Sequence, residues 1–500
     1  MNSYWIDSTK DKGKFDTLKA DISCDVCIIG AGMFGLTTAY YLSKKGLKCI
    51  VLDKSEVGIK ASGHTTAKIT SQHGLIYEYL IHDFGMDTAK MYLQSNEEAI
   101  KNIKHIIDEE KIDCDFETQN SFVYATSPEE AEKFKGELKS VKSLGFDAQF
   151  IEDLHVPFKN DGAIMFQNQA MFHPRKYMLG LCDCILKNKG QIFTNTNVFD
   201  LKKKNKFYET ISDSYNVKSK YVVIASHYPI INFPGFYFSK MYQDTSYIIG
   251  VDTKEEPFDG MYINSDHPTF SYRWAKYNDR KILLLGGSGH KTGEDNVTYT
   301  STYENLEHKV KELYPSAEVL YRWNTRDCIT LDKVPYIGEF SSMMPNVYVG
   351  TGFNKWGMTS SNVAANIITD KVLGIENKYE ETFTSTRLKP IKNRWEMKGM
   401  LKQVTESLVL DKLKIPNKTI NELKIDSGKI VDIDGHQVGI YKNASGKIFA
   451  VKPTCSHLGC TLSWNNVDKT WDCPCHGSRF DYTGKNIYDP AIKDLSRYNL

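Results

Sequence analysis

Two short stretches near the end of the chain hold the residue types that bind metal. One reads CSHLGC and contains Cys455, His457 and Cys460. The other reads CPCHGS and contains Cys473, Cys475 and His476, followed by Gly477 and Ser478. Thiolate and imidazole are the ligands of zinc and of iron–sulfur centres, and two cysteines with two histidines would satisfy a tetrahedral zinc ion. The pattern is more particular than a generic zinc site. It places Cys-x-His in one loop, Cys-x-x-His in the other, and one further cysteine in each. A second stretch of chemical interest lies near the start. An apolar run from Val26 to Ile29 enters Gly30-x-Gly32-x-x-Gly35, a helical pattern continues to about Lys45, and a second apolar run ends at Asp53. In this context a glycine-rich turn lets backbone amides at a helix N-terminus approach a phosphate, where the free N–H groups and the helix dipole favour an anion.

The segment from about 416 to 500 resembles the Rieske 2Fe–2S family, in which two histidines replace two cysteines on one of the two irons. The resemblance implies that Cys455 and Cys473 hold one iron and that His457 and His476 hold the other. It also implies that Cys460 and Cys475 form the disulfide between the two loops of high-potential Rieske proteins. Ser478 matches the serine whose hydroxyl donates to cluster sulfur. Such a hydrogen bond raises the reduction potential by stabilising the added electron. Phe480 departs from the tyrosine usual there, so one hydrogen bond is missing and a potential in the lower part of the Rieske range is expected. The seven other cysteines, Cys24, Cys27, Cys49, Cys114, Cys182, Cys184 and Cys328, read as small core or surface residues.

The N-terminal pattern of strand, glycine turn, helix, strand and acidic residue is the Rossmann fingerprint. Gly30 permits the tight turn, Gly32 the approach of a pyrophosphate, and Gly35 close packing of helix on strand, while Asp53 is placed to accept from the adenosine ribose. The next stretch, ASGHTTAKIT (61–70), resembles the D-amino-acid oxidase-like flavoproteins. There small and hydroxylic residues, here Ser62, Thr65 and Thr66, line the FAD pyrophosphate and the flavin edge. His64 stands where some relatives attach flavin covalently, and a non-covalent or packing role is expected here. Residues 163–190 continue the resemblance, with His173 read as a capping or packing residue before a helix that begins at Pro174. So do RWNTRDCITLDKVPYIG and NVYVGTGFNKWGMTSSNVAANIITDKVLG in 322–375. The resemblance puts Val198 beside the adenine and Gly352 at a strand end. Gly357, Met358 and Thr359 fall at a helix N-terminus facing the flavin. Arg326 falls where amino-acid-oxidising relatives bind a substrate carboxylate. Tyr247, Tyr272 and Arg273 are further candidates for the substrate pocket.

These residues need three kinds of support. The expected fold is an α/β Rossmann-type FAD-binding domain with an α+β substrate domain, joined to a small all-β Rieske domain. Residues 1–378 form the flavoprotein part, with nucleotide-binding segments at about 21–80, 160–228 and 322–378 and the substrate domain at about 81–159 and 229–321. A charged connector spans 379–415, and the Rieske domain occupies 416–500. In the last, alternating apolar residues with turns at Asp434-Gly435 and Ser445-Gly446 fit a small antiparallel domain.

The 500 residues allow two to four domains. The net charge of +1, from 63 basic and 62 acidic residues, gives no reason to expect nucleic acid. No run of about 18 apolar residues suggests a membrane span, and the polar start, MNSYWIDSTKDKGKFDTLKAD, lacks a signal-peptide core, so a cytoplasmic location is expected. GGSGHKTG (286–293) does not fit GxGxxG, which argues against NAD(P)H as donor. Only 24 residues follow His476, too few for the mononuclear iron domain of a Rieske oxygenase. The expected cofactors are FAD and a 2Fe–2S cluster. The expected activity is dehydrogenation of the C–N bond of an amine or amino acid, with electrons passing through the cluster to an external acceptor. A redox or iron sensor, and an oxidase that uses oxygen, remain the alternatives.

Overall fold

The computed structural model describes residues 3–292, 299–387, 423–466 and 468–499. Most of the connector expected over 379–415 therefore lies outside the described residues.

The first sheet is organised around strand Ile22–Ile29, whose last four residues are all buried. It pairs in parallel with Val217–Ile224 on one side and Cys49–Leu52 on the other. Val347–Thr351 and Gln191–Phe193 extend the parallel order, and Tyr336–Glu339 closes one edge antiparallel. Central strands of a parallel sheet are covered on both faces, so they read as continuous apolar runs. Helix Met33–Lys44 packs on this sheet and against helix Gly357–Leu373. A Cβ on Gly35 would lie 2.0 Å from the carbonyl oxygen of Gly30, so only glycine allows the helix this close to the turn.

The second sheet has nine strands. Glu318–Thr330, Met241–Asp252, Arg280–Lys291, Phe270–Tyr277, Met261–Asn264, Glu117–Tyr124, Ala163–Met171 and Lys68–Ile69 follow one another in space, and Gln149–Ile151 pairs with Ala163–Met171. Three strands assigned from sequence to the nucleotide-binding segments, Lys68–Ile69, Ala163–Met171 and most of Glu318–Thr330, thus belong to this sheet instead. An apolar strand looks the same whichever sheet receives it, since its partners are distant in sequence. Residues 191–204 supply two strands, Gln191–Phe193 in the first sheet and Val198–Lys204 in a hairpin with Phe207–Ser212. Helix Met86–Glu110 buries Ala99, Ile103, Ile106 and Ile107 on one face, as their spacing predicts.

The C-terminal unit is all β. One three-stranded antiparallel sheet contains Ser427–Ile433, His436–Lys442 and Ile448–Val451. A four-stranded one contains Ser463–Asn465, Thr470–Asp472, Arg479–Asp481 and Asn486–Tyr488. Trp471 and Phe480 face each other across the latter and fill its core with the loop cysteines.

Candidate cofactor cavity and cluster site

The glycine turn, the helix N-termini and the edge of the second sheet enclose a cavity of about 420 Å³. Gly30, Gly32, Asp53, Ser62, Thr65, Thr66, Val198, Tyr247, Gly357 and Met358, all expected from sequence, line it. Gly30 has φ +119°, and a Cβ there would lie 2.4 Å from the oxygen of Ala225, so the turn leaves no room for a side chain. The Asp53 carboxylate accepts from the amides of Ala31 and Ser55 at 2.7 and 2.8 Å, and burial pushes its carboxyl pKa up. The Met33 amide donates to Ser62 Oγ at 3.1 Å at the start of the helix. The cradle of small residues at a helix N-terminus fits a dinucleotide pyrophosphate.

Other expected residues lie elsewhere. Gly35 and Gly352 do not line the cavity. A Cβ on Gly352 (φ +71°) would press within 2.2 Å of Thr330 Cγ2, a packing role rather than a wall. Thr359 is buried below the cavity, its hydroxyl donating to the oxygen of Thr70 at 3.1 Å beside His73. Tyr272 stacks on Phe158 inside the second core, ring centroids 4.4 Å apart. Arg273 is fully committed to carbonyl oxygens of Thr66, Ala67 and Trp274, and burial pushes it down to about 9. Arg326 is turned out of the cavity to an ion pair described below. His64 also lies outside the lining, with Nδ1 3.0 Å from the oxygen of Lys60. His173 caps its helix, accepting from the Lys176 amide.

The cavity adds residues that sequence reasoning did not single out. Lys68 reaches it from within ASGHTTAKIT, with Nζ donating to the oxygen of Tyr262 at 2.6 Å and to Ser271 Oγ at 2.7 Å. Burial, and then the Arg273 cation, push this amine well below the ordinary lysine value. Tyr247, expected from sequence, borders the cavity between Ser246 and Ile248, but its ring packs against His290 and Tyr303 with the hydroxyl 3.0 Å from His290 Nε2. Ile487, Tyr488 and Asp489 also line the cavity, although they come from the C-terminal unit.

At the other site, Cys455, Cys473, His457 and His476 converge from two loops, and Cys460–Cys475 is a disulfide with Cα atoms 6.6 Å apart. The two imidazole rings stand 5.1 Å apart. Each presents a buried Nδ1 with no hydrogen-bond partner, an orphan that a metal ion would satisfy. Burial holds His457 at about 3 and His476 at about 4, so both are neutral, the form that ligates. The Cys455 thiol is drawn down to about 7, chiefly by a hydrogen bond from Cys473 and, among lesser causes, by the Ser478 hydroxyl. Two sulfurs within hydrogen-bonding reach and two orphaned imidazole nitrogens suit a mixed thiolate–imidazole cluster. The Ala491 amide donates to Ser478 Oγ at 2.9 Å and fixes that hydroxyl.

The cluster site is anchored by Asp472, the residue before Cys473. Arg479 donates to its two oxygens at 2.8 and 2.9 Å and also to Asp468. Arg326, from the second sheet, adds an ion pair at 3.4 Å, with both side chains almost fully buried. Burial alone would raise the Asp472 carboxyl, but Arg479 and Arg326 outweigh it and hold it at about 2.

An FAD cavity beside a thiolate–imidazole pocket defines a flavin oxidoreductase with an appended iron–sulfur domain. The family model described as FAD dependent oxidoreductase matches residues 25–371, and the Rieske [2Fe-2S] domain model matches 415–499. The chain belongs to the FAD-dependent oxidoreductase family and carries a Rieske domain; it binds FAD and a 2Fe–2S cluster. It is similar along its whole length, at 36% identity over 498 residues and 97% of the relative, to YhfW of Bacillus subtilis (strain 168), which bears the name of a Rieske 2Fe-2S iron-sulfur protein. The gamma-glutamylputrescine oxidoreductase of Escherichia coli (strain K12) is 24% identical over 76% of this chain and 90% of that protein. Glycine oxidase from Geobacillus kaustophilus shares the fold, with a TM-score of 0.62 over 74% of this chain and all of that one at 18% identity. No helix among the described residues is long and apolar enough to cross a membrane.

Two outcomes follow from this geometry. Phe480 is buried against the cluster loops, and Phe480→Tyr is expected to raise the cluster potential in a redox titration followed by electron paramagnetic resonance. Asp472 is depressed from 3.8 unfolded to about 2 folded, so its contribution to stability is complete above about pH 4 and is lost as pH falls toward 2. Asp472→Asn should lower stability by about 3–5 kcal/mol at neutral pH, as for a broken buried pair. Thermal unfolding should show that difference shrinking below pH 4.

Proposed function

We propose that the protein is a dehydrogenase of amines or amino acids that sends electrons from FAD through its own Rieske cluster to an external acceptor. The observation that carries the internal relay is the direction in which the histidine ligands face. His227 lines the cavity, and the next residue, Tyr228, places its ring 6.3 Å from the ring of His457. His457 Nε2 lies 2.7 Å from Asn232 Oδ1, and Phe238 meets the ring of His476. A single stretch of chain thus joins the cavity wall to the histidine side of the cluster site.

Bound FAD supplies a two-electron acceptor, and the cluster carries one electron at a time. The Gly32 amide and the Ser62 hydroxyl would hold the pyrophosphate, while the Gly30 amide is spent on the oxygen of Leu52 at 2.8 Å and shapes the turn. Asp53 would meet the ribose, and Val198 would lie beside the adenine. Thr65 and Thr66 would border the flavin edge. Gly357 and Met358, at the start of a helix, place its positive end toward the flavin. The substrate end of the cavity is bounded by Lys68 and Ser271. Held by two acceptors, with its pKa lowered by burial and the Arg273 cation, Lys68 Nζ is placed to take a proton from a substrate ammonium and leave the neutral amine. The cavity wall would orient that amine so that its C–H bond faces the flavin. The substrates named by the relatives, a glutamylated diamine and glycine, support a C–N bond as the site of oxidation. The acceptor is a separate molecule that meets the cluster domain.

The test is anaerobic. The purified protein is mixed with a panel of amines, N-methyl amino acids and amino acids while flavin absorbance and the reduced-cluster resonance are followed. Flavin bleaching followed by the cluster signal is the expected result. A flavin that dithionite reduces but no member of the panel bleaches would overturn the reading and favour a sensor. In Cys473→Ser, with FAD in excess, bleaching should persist while transfer to the acceptor stops. Lys68→Met should slow bleaching by about 10²–10⁴-fold, the usual contribution of a positioned base.

A further inference from the structure

We propose that the Rieske domain is a working wall of the FAD site, so that its docking tightens FAD binding. The segment Ile487–Asp489 lines the same cavity as the glycine turn and Asp53, although more than 400 positions separate them in sequence. It is gripped from the flavoprotein side at every residue. Lys54 Nζ pairs with Asp489 Oδ1 at 2.7 Å, with both side chains mostly buried. Lys60 Nζ donates to the oxygen of Ile487 at 3.0 Å and lies over the Tyr488 ring, and the Arg326 guanidinium covers the same ring at 5.2 Å. Gln243 Nε2 reaches the oxygen of Asp489 at 3.4 Å. From the other side, the Ala491 amide ties the segment to Ser478 in the cluster loop.

Lys54 and Lys60 stand on the loop that leaves the second strand of the nucleotide fold, Cys49–Leu52, just past Asp53. Asp489 and the oxygen of Ile487 partner two ammonium groups that would otherwise face the cavity. Removing the segment would open the cavity wall beside Asp53 to water and leave both lysines without these acceptors. FAD binding and domain docking therefore stabilise each other. Linkage requires that the effect be reciprocal, with couplings in such systems of about 5–150-fold.

The experiment uses the full chain and reads FAD affinity without any substrate, so it stands apart from the question of which C–N bond is oxidised. The dissociation constant of FAD is measured by ultrafiltration and fluorescence of the released cofactor for wild type, Asp489→Lys, Lys54→Asp and the combined exchange. Iron content and the cluster resonance verify that each preparation holds an intact cluster. Each single variant is expected to weaken FAD about 10-fold or more, and the combined exchange to recover most of the loss. Arg326→Leu, at a residue outside the cavity lining, should also weaken FAD because it loosens docking. An FAD affinity in Asp489→Lys equal to that of wild type would overturn the proposal. So would a combined exchange no tighter than the weaker single variant. If Arg326→Leu alone is poorly folded, the exchange pair decides.

Discussion

The Asp472 carboxylate is the point on which the two halves of the molecule depend. It lies in a fully buried position between two guanidinium groups, one from its own domain and one from the flavoprotein sheet. Such a pair is costly to desolvate and therefore contributes less net stability than its geometry suggests, yet removing one partner leaves a buried charge uncompensated. Arg479 supplies the bidentate bonds that hold Asp472 within the Rieske fold, and Arg326 adds the contact from the flavoprotein sheet. Asn465 and Thr470 complete its hydrogen bonds. Since Cys473 follows directly in the chain, the same carboxylate that docks the domain also orients a cluster ligand.

This anchor gives the site a definite polarity. The histidine side of the cluster pocket faces residues 228–238, and the loop beyond Ser478 turns back to the FAD cavity. A docked cluster domain needs no swing to approach the flavin, which suits a fixed distance for electron transfer. The connection is made of side chains on regular strands and short loops, and these resist displacement better than a flexible tether would.

The features legible in the sequence were those written in local spacing. The two Cys–His loops and the glycine turn each occupy fewer than a dozen residues or so and demand specific residue types at fixed intervals. The assignment of Arg326 to the substrate failed for a reason of strand geometry. Thr325 and Asp327 line the cavity, and side chains alternate across a strand, so the residue between them must point the other way. Tyr272 is subject to the same alternation next to Ser271. Arg273 shares the face of Ser271, but carbonyl groups occupy its guanidinium. Lys68 had no marker, because a buried lysine reads in sequence like an exposed one. The pairing of Lys54 with Asp489 was invisible because only tertiary structure brings positions so distant together. The second sheet drew strands from segments that looked nucleotide-binding for the same reason.

The seven cysteines outside the cluster loops bear on how such a protein survives its own chemistry. All are free, and all but the half-buried Cys24 are buried. Burial raises every one of them, Cys27, Cys49 and Cys114 to about 12 and Cys328 further still. Peroxide and alkylating reagents attack the thiolate, which these residues scarcely populate. A flavin and an iron centre that leak an occasional electron to oxygen would generate oxidant beside these thiols. The fold keeps them in the one protonation state and the one environment in which sulfur is inert, so oxidative damage should fall first on the cofactors rather than on the scaffold.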